Sequence, residues 1–302
     1  MANRYYAAGE QRAAKVKDLF TAIAHRYDLI NDLQSLGFHR RWKRQLVRMT
    51  GLKPGERALD LCCGTGDVAL GLAKTDGTVV GLDFSMAMLV FAGKRARKLA
   101  AHFQGRPHPR DGSESSTGTL EKPRCWDAEH QVDHAHAPGA PASGPARSGG
   151  PSNQAGPEAG APLLPRSQIT FLRGDALRVP FRDGEFDVVT ISYGLRNLEN
   201  IEAGLTEIRR VLKPGGRLLV LDFGKPENRL WRAVYFGYLR CCVPWLGRLF
   251  CGDREAYAYI LESLIHYPAQ RGVASLMERL DFKEARVIDL VGGIMSINYG
   301  RK

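Results

Sequence analysis

The segment Leu59-Asp60-Leu61-Cys62-Cys63-Gly64-Thr65-Gly66-Asp67 constrains the fold of this chain more than any other. It places a glycine-rich turn directly after a short apolar run and before a helix-like stretch. Gly64 and Gly66 permit close backbone approach to a ligand, and the helix start behind them offers free N–H groups and a positive dipole end. A second apolar run, Thr78 to Asp83, follows at βαβ spacing. Such a unit requires a parallel sheet. The alternation continues with strands expected at Arg57 to Cys62, Ile169 to Leu172, Phe186 to Ser192, Arg217 to Asp222, Ala285 to Val291 and Ile294 to Tyr299. Helices are expected near Ile201 to Leu212, Tyr257 to Ile265 and Gly272 to Leu280.

Residues 102–167 interrupt this pattern. The stretch is dense in Gly, Pro, Ala and Ser and almost without periodic apolar positions, so it reads as a disordered insertion. An insertion of this length adds only modest loop-closure entropy, and the fold can survive it. Its His108, His130, His134, His136 and Cys125 match no standard zinc spacing, and no metal is expected. Residues 1–50 read as an N-terminal helical cap: Val16, Leu19, Phe20 and Ile23 have helical spacing and lead to a loop around Tyr27 to His39. The N-terminus lacks a signal-type apolar core and no long uncharged apolar stretch occurs, so an intracellular, non-spanning protein is expected. The six cysteines form no CxxC pair and read as reduced packing thiols.

Seventeen residues past Gly66, Asp83 closes the second strand, where a carboxylate can accept both hydroxyls of an adenosine ribose. A nucleoside ligand follows from the two features together. Gly64, Gly66 and Ala69 also satisfy the relaxed dinucleotide pattern, which would suit a nicotinamide-dependent oxidoreductase. Against a pyrophosphate stands Asp60, an acid just before the glycines, which tolerates a sulfonium and an ammonium instead. Gly174-Asp175-Ala176 after the third strand can meet an adenine through the Asp175 carboxylate and the Ala176 N–H. Leu212-Lys213-Pro214-Gly215-Gly216-Arg217 makes a turn from a helix into a long apolar strand.

In that order these features resemble the class I, S-adenosylmethionine-dependent methyltransferases. The resemblance implies an α/β, Rossmann-like sheet of about seven strands, mostly parallel with an antiparallel last strand and helices on both faces. Residues 51–101 and 168–302 would form that single domain. Further segments resemble one branch, the demethylmenaquinone and ubiquinone-pathway C-methyltransferases: Phe20 to Asp32, Gly37 to Lys43, Ile191 to Asn197, Arg217 to Pro226, Tyr257 through Pro268 and Gly292-Gly293-Ile294. The similarity covers nearly the whole chain except the insertion.

What the resemblance implies is methyl transfer to a ring carbon of a prenylated quinol, with the naphthoquinol of menaquinone synthesis ahead of the methoxy-benzoquinol of ubiquinone synthesis. Position by position, Gly64, Thr65, Gly66, Asp60, Asp83, Asp175, Ala176 and Ser192 would bind S-adenosylmethionine. A ring carbon becomes nucleophilic when the neighbouring hydroxyl loses its proton, which calls for a phenolate stabiliser and a base. Arg196 and Asn197, after the fourth strand, would hold the ring oxygens, with Arg196 supplying the positive charge. His25 and Tyr27, beside Asp28 and His39, are the candidate bases.

The formal net charge of +11 favours an anionic partner, a membrane face or a nucleic acid. Basic residues cluster at Arg40, Arg41, Lys43, Arg44 and Arg48, and again among the aromatics of residues 229–250. There Arg229, Arg232 and Arg240 fall within about 80° on a helical wheel, before Pro244 is expected to break the helix. Arginines among aromatics favour an anionic membrane surface, giving a cytoplasmic protein attached peripherally to the membrane's inner face. The same aromatics would also suit a substrate cleft or a homodimer contact. No nucleic-acid-binding module is recognisable, although the charge alone would suit an RNA methyltransferase.

Overall fold

The computed structural model describes residues 15–16, 31–32, 35, 37–75, 77–104, 169–251 and 255–302. The strands are β1 (Arg57–Leu61), β2 (Thr78–Asp83), β3 (Ile169–Arg173), β4 (Phe186–Ser192), β5 (Leu212–Phe223), β6 (Lys283–Leu290) and β7 (Met295–Arg301). Their order in the sheet is β3-β2-β1-β4-β5-β7-β6, with the first five parallel and β7 antiparallel to both β5 and β6. The expected sheet is therefore present. The strand order reverses between β1 and β4, so a crevice opens at their carboxyl ends, where open α/β sheets bind ligands.

The helices are α1 (Phe38–Thr50), α2 (Asp67–Leu72), α3 (Met86–Gln104), α4 (Ile201–Val211), α5 (Arg229–Cys251), α6 (Glu255–His266) and α7 (Ala269–Arg279). Period-2 alternation of the strands divides the core into two layers. Leu59, Leu61, Val189, Ile191, Leu218 and Val220 face one way, toward Leu205 and Ile208 of α4, Tyr235 and Leu239 of α5, Tyr259 of α6 and Val273 of α7. Ala58, Val188, Leu219 and Leu221 face the other, toward Trp42 and Leu46 of α1 and Val68 and Leu72 of α2. Three layers result.

Two local expectations need correction. Helix α5 runs through Pro244 without ending. A mid-helix proline removes a hydrogen bond and costs about 3 kcal/mol; here Val243 and Pro244 are both buried, and Val243 packs into the core shared with Tyr259 and Leu264. The Lys213-Pro214-Gly215-Gly216 turn lies inside β5, where pairing jumps from Phe186 opposite Leu212 to Val188 opposite Arg217. Gly215 N–H donates to the Lys302 carbonyl and Lys302 N–H to that of Gly216, which holds the excursion against the sheet. Helix α1 falls within the helical cap expected at residues 1–50 and is strongly amphipathic, burying Trp42 and Leu46 at i, i+4 beneath a basic outer face. Most of the expected cap and the insertion lie outside the described residues, as do His25 and Tyr27.

Candidate active site

A cavity of about 310 Å³ sits at the carboxyl ends of β1, β2, β3 and β4, lined by Gly64, Asp83, Asp175, Ala176, Ser192 and Asn197 among others. That is the lower end of the usual range for small-molecule sites, about 300–1,000 Å³. The glycine loop forms its floor. Gly64 N–H donates to Asp83 Oδ2 at 2.8 Å and Ser85 N–H to Asp83 Oδ1 at 2.8 Å, so backbone donors fix the carboxylate in the cavity wall. Burial pushes the Asp83 carboxyl above the usual carboxylate range, against the pull of its backbone donors. Leu82, Phe84, Met88 and Leu177 add apolar wall.

A side chain at Gly66 would be strained: its φ is +83°, and a Cβ there would stand 3.1 Å from Ala92 and from the Phe171 ring. At Gly194 the constraint is close approach, because a Cβ would come within 2.5 Å of Cys62 Cβ. Two non-glycine residues of the lining, Cys62 and Tyr193, hold left-handed backbone at φ +52° and +59°. Each such residue costs of order 1–2 kcal/mol. Burial raises the thiols of Cys62 and Cys63, which favours the neutral form.

Several expected site residues act from behind the wall. Asp60 is fully buried and does not reach the cavity: Ala69 N–H donates to Oδ2 at 3.0 Å and the Thr190 hydroxyl to Oδ1 at 2.7 Å. Burial pushes its carboxyl up to about 7. Thr65 is buried beside the loop, with its carbonyl and hydroxyl both accepting from Arg95 at 3.1 Å. Asp175 is exposed at the rim and caps its own turn through Leu177 N–H at 2.9 Å.

Arg196 differs most from expectation. Its guanidinium is buried and donates through Nη1 to Asp222 Oδ1 and to the Tyr193 carbonyl, each at 2.7 Å. It also lies 4.7 Å from the centre of the Phe223 ring. The charge expected to face a ring oxygen is thus paired with Asp222, at the end of β5, and the arginine is not part of the cavity lining. Asn197 does line it. Its Nδ2 donates to the Tyr193 carbonyl at 3.1 Å, and its Oδ1 accepts from the Tyr259 hydroxyl. One Nδ2 hydrogen remains for a ligand. Asp222 and Tyr259 lie in segments that carry the family resemblance, Arg217 to Pro226 and Tyr257 through Pro268, but were given no role there; their partners across the sheet show what they do.

A glycine loop, an acid at the end of β2 and a second acid after β3, arranged round one crevice, define a class I methyltransferase. The fold has counterparts in solved structures. Magnesium protoporphyrin IX methyltransferase from Synechocystis superposes with a TM-score of 0.55 at 15% identity over 96% of this chain and 99% of that one. A SAM-dependent methyltransferase from Thermotoga maritima gives 0.53 at 15% identity, over 95% and 99%. The chain belongs to the ubiE/COQ5 methyltransferase family, whose model matches residues 7–104 and 159–302. It is 31% identical over 298 residues to a demethylmenaquinone methyltransferase of Desulfitobacterium hafniense, covering 98% of this chain and 92% of that one. A second protein of that name, from Beutenbergia cavernae, is 33% identical over 287 residues, 95% and 90% of the two chains. The ubiquinone/menaquinone biosynthesis C-methyltransferase UbiE of Stutzerimonas stutzeri is 32% identical over 295 residues, 97% and 90%.

Proposed function

We propose that this protein transfers a methyl group from S-adenosylmethionine to a ring carbon of a prenylated quinol, with demethylmenaquinol as the acceptor. What supports the acceptor is membership of the ubiE/COQ5 family together with similarity to the two demethylmenaquinone methyltransferases, and the Asp83 carboxylate, fixed by Gly64 and Ser85 N–H groups in the cavity wall, supports the cofactor. Those residues fit the cofactor: Asp83 would take the ribose hydroxyls, Asp175 and Ala176 the adenine, Gly64 and Ser192 the methionine portion, with Phe84, Met88 and Leu177 around the base. Gly66, Thr65 and Asp60 support the loop from below. When bound, S-adenosylmethionine supplies a methyl group on a sulfonium, already a strong electrophile.

The chain's own contribution is positioning and proton handling. Asn197 offers its remaining Nδ2 hydrogen to a ring oxygen, oriented by the Tyr259 hydroxyl and the Tyr193 carbonyl. Arg196 holds that carbonyl through Nη1, so it acts as a positioning residue rather than as a free charge. The base expected from the N-terminal segment, His25 or Tyr27, would take the ring hydroxyl proton; once the ring carbon carries the methyl group, the hydrogen on that carbon leaves as a proton while the ring oxygen is reprotonated, which restores the aromatic quinol.

A polyprenyl acceptor places the work at a bilayer surface. Helix α5 exposes Leu230, Trp231, Val234 and Trp245 beside the exposed Arg229 and Arg240, the mixture that suits an anionic lipid interface. Among the described residues no helix is long and apolar enough to cross a membrane, so attachment through this face would be peripheral. A homodimer contact is the other use of the face, and sedimentation velocity separates the two.

The deciding test is an assay with labelled S-adenosylmethionine and chemically reduced demethylmenaquinol in micelles, beside a reduced methoxy-benzoquinol. Label in the naphthoquinol is expected. Label in the benzoquinol alone would overturn the acceptor, and label in neither, despite tight binding of S-adenosylhomocysteine, would overturn the quinol reading.

A further inference from the structure

A second cavity, of about 610 Å³, opens between α1 and α2, away from the site above. Arg40, Lys43, Arg44 and Arg48 of α1 line it together with Lys74 and Arg95, and Asp67 is the one acidic residue among the lining. Its cations fall into two groups. Lys43 donates to Asp67 Oδ2 at 2.7 Å and Arg95 pairs with Oδ1, which holds the Asp67 carboxyl well below the usual range despite its burial. Arg40 is bound to Asp32 through two hydrogen bonds. Arg44, Arg48 and Lys74 are exposed and have no acidic partner among the described residues.

Arg40, Arg44 and Arg48 follow one another at i, i+4 and i+8 on a single face of α1. Like charges at that spacing destabilise a helix. Arg48 gains from the dipole at the helix end, but Arg44 in mid-helix does not. A column of this kind, facing a concavity and joined there by Lys74 from a separate element, is what an anion needs. From Arg40 to Arg48 the column spans about 12 Å, room for one or two phosphate groups and too short to track a nucleic acid backbone.

We infer that the groove between α1 and α2 is a binding site for a phosphate-bearing anion, gripped by Arg44, Arg48 and Lys74. The ligand is either the headgroup of an anionic phospholipid or a free phosphate compound. Both present the same oxygens to the same cations. The inference does not depend on the quinol reading, since no part of it uses methyl transfer.

The test uses the full chain and three probes: inorganic pyrophosphate by calorimetry, and flotation with phosphatidylcholine vesicles with or without phosphatidylglycerol. The variant Arg44→Gln/Arg48→Gln/Lys74→Gln is compared with an equal charge change at exposed positions elsewhere, Lys53→Gln/Arg178→Gln/Arg182→Gln. The groove variant is expected to lose about tenfold or more in affinity, as charge-assisted contacts to phosphate are removed, while the control stays near wild type. Loss toward vesicles alone identifies a lipid headgroup, loss toward pyrophosphate alone a free anion, and loss toward both a general phosphate site. Equal losses in the two variants, or no binding of either anionic probe by the wild type, would overturn the inference. Tight RNA binding without either would do the same. If the triple variant is unstable, Arg44→Gln alone should show the same loss in smaller measure, with S-adenosylhomocysteine binding reporting that the fold is intact.

Discussion

The two sides of β4 solve different problems. Toward β1, β2 and β3 the cavity wall is made of strand ends and backbone N–H groups, and its key carboxylate, Asp83, is fixed by neighbours within the same crossover unit. Toward β5 the polar groups come from residues far apart in sequence and satisfy one another: Arg196 with Asp222, Asn197 with Tyr259. The first side can be complete before a ligand arrives, whereas the second presents only what its internal pairs leave over. Even so, the buried Tyr235 hydroxyl on that second side has no hydrogen-bond partner among the described residues.

Breaking the Arg196–Asp222 pair should have the largest effect. Removing one partner of a buried pair leaves the other uncompensated, at a cost of about 3–5 kcal/mol, so Arg196→Ala and Asp222→Ala should both lower urea midpoints sharply. The double variant Arg196→Met/Asp222→Leu should recover much of that stability. If it also regains methyl transfer, the pair has no part in the chemistry.

Asp60 sharpens the comparison from the cofactor side, because burial raises its carboxyl from 3.8 to about 7. The native state then holds a proton that the unfolded chain releases between those values. Its contribution to stability therefore falls as pH rises through that window, by at most about 1.4 kcal/mol per unit. Asp60→Asn should remove this slope, read from urea midpoints across the window; an unchanged slope would refute the assignment.

Asp83→Ala should weaken S-adenosylhomocysteine binding about 100-fold by calorimetry, since two charge-assisted contacts to hydroxyls are lost. Tyr259→Phe should reach the other side only, lowering kcat about tenfold through a less well oriented Asn197 while leaving cofactor affinity unchanged. A large change in that affinity would mean that the two sides are not separate.

The same division explains what could be read from sequence. Gly66, Asp83, Asp175 and Ala176 stand at strand ends, where pattern and spacing fix position, and the structure puts Asp83, Asp175 and Ala176 round the cavity. Arg196 and Asn197 were correctly placed after β4, but their orientation was not legible, because it is set by Asp222 and Tyr259, 26 and 62 residues further on. Asp60 deceived for a related reason. An acid before a glycine loop looks the same in sequence whether it faces a ligand or caps the loop from beneath, and only Thr190 on the neighbouring strand decides. Pro244 was read from local propensity, which the burial of Val243 outweighs.

Among the described residues, strand β3 pairs with β2 alone, yet it leads into the turn with Asp175 and Ala176 that walls the cavity. A chain opened between residues 104 and 169 would leave β3 joined to β4 on one fragment and β2 on the other, so the Asp175 wall would be held to its strand partner by the β2–β3 pairing alone, and the two halves of the cavity would lie on separate pieces.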